Sequence, residues 1–250
     1  MCNASVFLFL NYMFVNLNLF QILISYLIFE MLKQVQHGKQ INIGFFFFRI
    51  PKLNCIFEVM QSILENIAKH VTLTPQEQEL FLSKTETKQF KAKTILLSAG
   101  EVATCTYFVN SGILRSFNIN DNIIEHVLHF ACEGWWIGDM YSYISGKPGN
   151  LFLEVLEDAE VVIITKENQQ QLYQEIPKLE RFFRILAENS LVSHQERLMD
   201  NLSLTAEERF EKFCSKYPTL IQKVPQKHIA SYIGVTPEFF SKMKARLLKK

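Results

Sequence analysis

The twenty residues from Gln226 onward leave the chain little freedom in how it folds there. Ile229, Ile233, Val235, Phe240 and Met243 recur at the spacing by which two short helices joined by a tight turn share one small core. Ala230 falls where the helices pass each other, so a bulkier side chain would push them apart. Gly234 falls in the turn, where a positive φ is easiest without a Cβ. Thr236 then serves as N-cap of the second helix and Pro237 as its first residue, which fixes the helix start chemically.

This is a helix-turn-helix, and the side chains it leaves facing outward carry its chemistry. At the start of the second helix these are Thr236, Pro237, Glu238, Ser241 and Lys242, with Ala245 and Arg246 a turn further on. In such units the leading residues of the second helix meet base edges in the major groove. Lys242 can donate to guanine acceptors and Glu238 can accept from cytosine N4. Lys227, Lys244, Lys249 and Lys250, with Arg246, supply the salt-dependent attraction to phosphates that is blind to sequence. A merely solvated basic helix would have no need of Ala230, Gly234 and Thr236-Pro237 at those places.

Charge divides along the chain in the same sense. Val224–Lys250 holds six Lys/Arg against the single acid Glu238, whereas residues 60–223 hold 16 Lys/Arg and 22 Asp/Glu. The net formal charge of +1 therefore hides a basic tail on an acidic body, and a polyanion would be met at the tail. The five cysteines are scattered with no metal-like spacing, which suits free thiols in a reducing compartment and excludes an iron–sulfur cluster.

Met1 to Phe29 has no charged residue yet carries Asn3, Asn11, Asn16, Asn18 and Gln21 among its Phe, Leu and Ile. One reading is a membrane anchor over residues 6–29, with Lys33, Lys39, Arg49 and Lys52 keeping the remainder cytoplasmic. Another is an ordered segment of other kind. The composition, rich in residues encoded by AT-rich codons and including the Phe45–Phe48 run, favours a third: a non-native extension ahead of a start at Met60. A signal peptide is disfavoured because no basic residue precedes the apolar run.

From Met60 the pattern is that of a globular protein. Thr74-Pro75-Gln76-Glu77 is a capping box that predicts a helix to about Ser83. KQFKAKTILL, TCTYFVN, GILRSFNI, IIEHVLHF, LFLEVLE and AEVVIIT are short β-rich runs, with six of the nine glycines and an Asn118–Asn122 turn signal in the same region. Closely spaced strands predict an antiparallel roll of jelly-roll or cupin type rather than βαβ units. Pro177–Asp200 then reads as a long amphipathic helix, with Leu179, Phe182, Phe183, Leu186 and Val192 on one broad side that faces either a dimer partner or the roll. Thr205 to Glu208 forms a second capping box, ahead of a helix that Pro218 ends. The fold class is thus α+β. Its divisions are an extension (1–59), a β-roll (60–176), a dimerisation helix (177–200) and an all-α helix-turn-helix domain (201–250).

That order of parts resembles the Crp/Fnr superfamily of bacterial regulators over about Gln61 to Lys250, most nearly its short members without a β-hairpin wing. The carriers are FKAKTILLSAGEVATCTYFVNSGILRSF (Phe90–Phe117), WWIGDM (Trp135–Met140) and IASYIGVTPEFFSKMKARL (Ile229–Leu247). The resemblance implies a cytoplasmic homodimer that binds double-stranded DNA, works with RNA polymerase, needs no cofactor and answers to an unidentified small-molecule effector. Glu238 and Lys242 match base-contacting family positions, while Pro237 stands where nucleotide-responsive members often have Arg. Gly138-Asp139 matches the Gly-Glu of the family's phosphate-binding cassette. Gly149-Asn150, however, stand where cyclic-AMP binders place Arg and a small residue. A buried cyclic phosphate needs that bidentate cation, which Lys147 cannot replace from a loop, so tight cyclic-AMP binding at Gly138, Asp139, Gly149 and Asn150 is not expected.

Two rival functions follow from other residues. Glu125, His126 and His129 invite a cupin-like metal enzyme, but strand alternation would turn the two histidines to opposite faces. No nucleophile–base set or phosphate-cradling Gly loop supports an enzyme. A membrane-tethered sensor module would rest on residues 6–29 alone. Trp135 and Trp136 fit either a ligand cavity or, in keeping with most such aromatic pairs, packing in the roll or under the long helix.

Overall fold

A computed structural model describes residues 62–247, all within one compact unit. The expectations for residues 1–59, for Cys2 and Cys55, and for Lys249 and Lys250 lie outside the described residues. After a helical stretch at 62–68, α1 (Pro75–Ser83) starts at the expected capping box, Thr74 Oγ1 accepting from Glu77 N while Glu77 accepts from Thr74 N.

The sheet has six strands in antiparallel pairs: β1 (Glu86–Phe90), β2 (Ile95–Leu97), β3 (Cys105–Ile119), β4 (Glu125–Ala131), β5 (Trp136–Ile137) and β6 (Phe152–Thr165). The spatial order is β1-β6-β3-β4, with β2 also on β6 and β5 also on β3. This is the expected α+β class with an antiparallel roll.

Two pairs of runs that read as separate strands are each continuous. TCTYFVN and GILRSFNI join as β3 across Gly112, and LFLEVLE and AEVVIIT join as β6. The β3–β6 register shifts three times between Val109 and Leu114, and Gly112 sits at φ 89° in the midst of the shifts. A Cβ there would lie 2.6 Å from the Asp158 carbonyl oxygen, so only glycine lets the two backbones approach closely enough to bend together.

Because the strands curl, β3 and β4 bury both faces. Leu114 and Ala131 point into the roll with Val109, Leu153, Val155 and Val161. Ile113, Phe117, Val127 and Phe130 point outward, against the terminal helices.

The helices are α2 (Met140–Ser145), α3 (Lys166–Glu175), α4 (Lys178–Ser203), α5 (Ala206–Lys216), α6 (Leu220–Lys223), α7 (Gln226–Ile233) and α8 (Pro237–Leu247). The second capping box is present at the start of α5, with Thr205 Oγ1 accepting from Glu208 N. Along α4 the first half bears out packing on the roll, and the second half leaves its apolar side chains uncovered. Leu179 and Phe182 are fully buried with Phe108, Val162 and Ile164 of the roll, and Phe183 and Leu186 pack beside them. Trp136 stands under this half, its ring 5.5 Å from Phe183, while Trp135 packs 5.5 Å from Tyr217, so both tryptophans are packing residues. From Leu191 onward its apolar side chains no longer pack on the roll, although Arg197 still reaches β4, and Leu191, Val192, Leu198, Met199 and Leu202 stand exposed.

Candidate nucleic-acid interface and the roll pocket

The terminal two-helix unit forms as its pattern requires. Ile229, Ala230, Ile233, Phe240 and Met243 are buried, Ala230 completely. Gly234 adopts φ 78°, its N–H closing α7, and Val235 N then donates to Ala230 O at 3.0 Å. Thr236 Oγ1 accepts from Phe239 N at 3.2 Å, so the first turn of α8 is held by its cap.

Thr236, Pro237, Glu238, Ser241, Lys242, Ala245 and Arg246 are all exposed, on one side of α8. The side chains of Glu238 and Lys242 make no hydrogen bond or ion pair with another described residue. Ser241 Oγ donates to Pro237 O at 2.9 Å. Arg246 is paired with Glu207 of α5, so it reaches a phosphate only by leaving that partner. Lys227 is exposed at the start of α7, and Lys244 is half-buried on the inner flank of α8.

What holds this unit in place was not legible beforehand. Arg115, 3% exposed on β3, bridges Glu125 at 2.6 Å and Glu154 at 2.5 Å, and its Nη1 donates to His228 Nδ1 of α7 at 2.8 Å. Ser231 of α7 caps the edge strand, donating to Glu125 O at 2.7 Å and accepting from Val127 N at 2.9 Å. Arg197 of α4 donates to Val127 O and Tyr232 O, both at 2.8 Å, and stacks 4.1 Å over the Tyr232 ring. Roll, long helix and helix-turn-helix are thereby clamped around the edge of β4, whose polar backbone would otherwise face the core unpaired. The one sequence signal was an arginine inside the apolar run GILRSFNI.

The roll pocket is closed by its own residues. Asp139 is 1% exposed and caps α2, Oδ1 accepting from Ser142 N at 3.0 Å, while Oδ2 is buried without a partner. Gly149 lies against it so closely that a Cβ would stand 2.0 Å from Oδ2. Gly149 is further tied by N–H to Glu101 O at 3.1 Å and by its carbonyl to Gly100 N at 2.8 Å. Gly138 packs on Thr106, Asn150 is exposed, and no Arg stands anywhere between Gly138 and Asn150. These residues do not fit a cyclic nucleotide: the carboxylate faces inward rather than toward a ribose, and nothing is forked to grip the phosphate. Calorimetric titration with cyclic AMP should show no binding tighter than about micromolar, and submicromolar affinity would contradict the closed geometry.

The histidines of β4 follow a different logic from strict alternation. A register step at Leu128 places His126 opposite Asn118 and His129 opposite Ser116, two β3 positions that share a face. Their surroundings nevertheless differ. His126 meets Asn120 at the exposed hairpin end, whereas His129 stacks 5.8 Å from Trp135. Among the described residues no group of three or more His, Cys, Asp or Glu side chains could hold a metal ion. Cys105, Cys132 and Cys214 are free thiols.

Comparison with known proteins adds the following. The cyclic nucleotide-binding domain family matches residues 87–176. The chain is 23% identical over 213 residues to the anaerobic regulatory protein of Aggregatibacter actinomycetemcomitans, covering 80% of this chain and 82% of that one. It is 26% identical over 165 residues to the fumarate and nitrate reduction regulatory protein of Vibrio cholerae, covering 62% and 65%. The fold is similar to that of CLP, the c-di-GMP-responsive global regulator of Xanthomonas campestris, with a TM-score of 0.59 at 19% identity over 70% of this chain and 92% of that one. FixK2 of Bradyrhizobium japonicum gives a TM-score of 0.57 at 18% identity over 66% and 85%.

Proposed function

We propose how this chain, which belongs to the Crp/Fnr family of DNA-binding transcriptional regulators, performs that role: two copies pair through α4 and insert their α8 helices into successive major grooves of one duplex. The observation that carries this is the capped α8, whose exposed side presents the side chains of Glu238 and Lys242 with no partner among the described residues. Two such helices about 34 Å apart match one turn of duplex DNA.

Pairing has its own support in the bare half of α4. Leu191, Leu198 and Leu202 share one stripe, flanked by Val192 and Met199, and each of the five is more than half exposed. Five large apolar groups left in water along one helix constitute a surface that a second copy would cover. The reading is of a cytoplasmic regulator that is not an enzyme and that works with RNA polymerase. Among the described residues no helix is long and apolar enough to cross a membrane. With the roll cassette closed by Asp139 and Gly149, an effector would need chemistry other than a cyclic nucleotide phosphate, and would act by favouring the α8 spacing that DNA requires.

The test is a pair of substitutions, measured on an operator selected from random duplexes. Lys242→Ala should cost about 1–3 kcal/mol per half-site and relax preference at one base pair. Lys227→Ala should weaken all sequences alike and reduce the slope of log affinity against log salt by about 1 per subunit. Equal effects of the two on every sequence would sink the assignment of Lys242.

A further inference from the structure

We infer that Phe239 is a specificity-determining residue, its ring taking up the C5-methyl group of a thymine in each half-site. The inference rests on the reading of α8 as a recognition helix and adds to it an apolar contact that the polar side chains cannot make.

The two neighbouring phenylalanines of α8 have opposite fates. Phe240 is completely buried, edge-on to Phe210 with ring centroids 5.1 Å apart. Phe239 is 49% exposed, stacks on no other ring, and packs against none of the three core clusters. The fold of the described residues therefore leaves about half of this side chain's surface to solvent.

Its position gives the ring a use. At about 100° per residue, Phe239 lies about 60° around the helix from Lys242 and about 100° from Glu238, on the flank of the same outward side. It is the third residue of α8, in the leading turn that meets base edges first. The hydrogen bond from Phe239 N to Thr236 Oγ1 and the fixed φ of Pro237 hold the backbone of that turn. Only two side-chain torsions then remain to be ordered on binding, a small entropic cost for a large apolar surface.

The chemistry of the groove selects the partner. Every base edge in the major groove offers hydrogen-bond donors or acceptors, and thymine alone adds an apolar group. A phenyl ring cannot satisfy the polar edges and would desolvate them at a cost, so it discriminates against cytosine and the purines at the position it covers. Arg246, about 20° around the helix from Phe239, is held by Glu207 and does not compete for that position.

The experiment uses the whole chain and an operator selected from random duplexes. Each thymine is replaced in turn by deoxyuridine, which removes the methyl group and nothing else. One position per half-site should then cost the wild-type protein about four-fold in affinity, the equivalent of one buried methyl group. In Phe239→Ala the same replacement should cost nothing, and selection with that variant should lose its thymine preference there. Phe239 is exposed, so an unchanged thermal melt will show that the variant is folded. An operator without any uracil-sensitive thymine, or a uracil cost that survives in Phe239→Ala, overturns the inference while leaving α8 as the recognition helix. Selection that yields no preferred sequence at all overturns both.

Discussion

Arg115→Ala lowers the stability of the folded unit by about 3–5 kcal/mol, the loss expected when one partner of a buried ionic cluster is removed. The guanidinium bridges the carboxylates of Glu125 and Glu154, and it lies 3.9 Å over the Phe117 ring. Without it Glu154, 16% exposed at its side chain, keeps a charge with nothing opposite, and His228 loses the donor to its Nδ1. Lysine does not rescue the site, because its three donors radiate from one nitrogen and cannot reproduce the planar fork by which Nε, Nη1 and Nη2 span Glu154, Glu125 and His228. Urea denaturation of wild type and variant measures the difference. A loss under about 1 kcal/mol would show that the clamp is incidental.

The same cluster makes stability depend on pH. His228 accepts from Arg115 through Nδ1, which assigns the proton of the neutral ring to Nε2. Burial, then Arg115 and Lys227, push its pKa down to about 4, with Glu125 acting the other way. A base whose pKa is depressed by folding binds fewer protons in the native state. Its contribution is therefore complete above about pH 6.5 and is lost as pH falls toward 4. His129 works in the same direction, pushed to about 3 by burial and then by Lys216, His194 and Arg197. Stability should decline from pH 6.5 to 4, less steeply in His228→Gln. An unchanged stability across that range would contradict the buried, neutral imidazole.

Leu198→Glu together with Leu202→Glu should convert the dimer to monomers and reduce operator affinity by about 100-fold or more. Both residues are exposed in the single chain, at 61% and 75%, so each protomer should still fold. What is lost is linkage. Two half-sites bound by one dimer gain roughly 10²–10⁴ over independent binding, and repelling carboxylates on the seam remove that gain without touching α8. Sedimentation of the variant and its binding to one-half and two-half operators are the measurements. A variant that stays dimeric would move the pairing surface away from this stripe.

The long helix also shows where sequence reading stops. The apolar positions of residues 177–200 could be found from periodicity, but Leu179, Phe182 and Phe183 turn out to serve the roll and Leu191, Leu198 and Leu202 to stand free. The division lies where the helix's apolar side chains stop meeting the roll, although Arg197 still reaches edge strand β4, and no residue in the helix encodes that point. The bend at Gly112 and the register step at Leu128 are similar. A glycine or an apolar residue in a β-rich run signals a break or a continuation equally well until its partner strand is known.

The sequence by itself determined the terminal two-helix unit, both capping boxes, the antiparallel character of the roll and the lack of an arginine in its cassette. Each of these depends on residues within a turn or a few positions of one another, where cap chemistry, side-chain volume and alternation act directly. Only the tertiary structure decided that the helix-turn-helix docks on the outward side of β3 and β4, that Asp139 turns inward onto Gly149, and that Phe239 is left in solvent beside a buried twin. Those outcomes are choices among partners far apart in the chain, such as Arg115 and His228 at a separation of 113 residues. Packing and buried charge select such partners only once the whole core has closed.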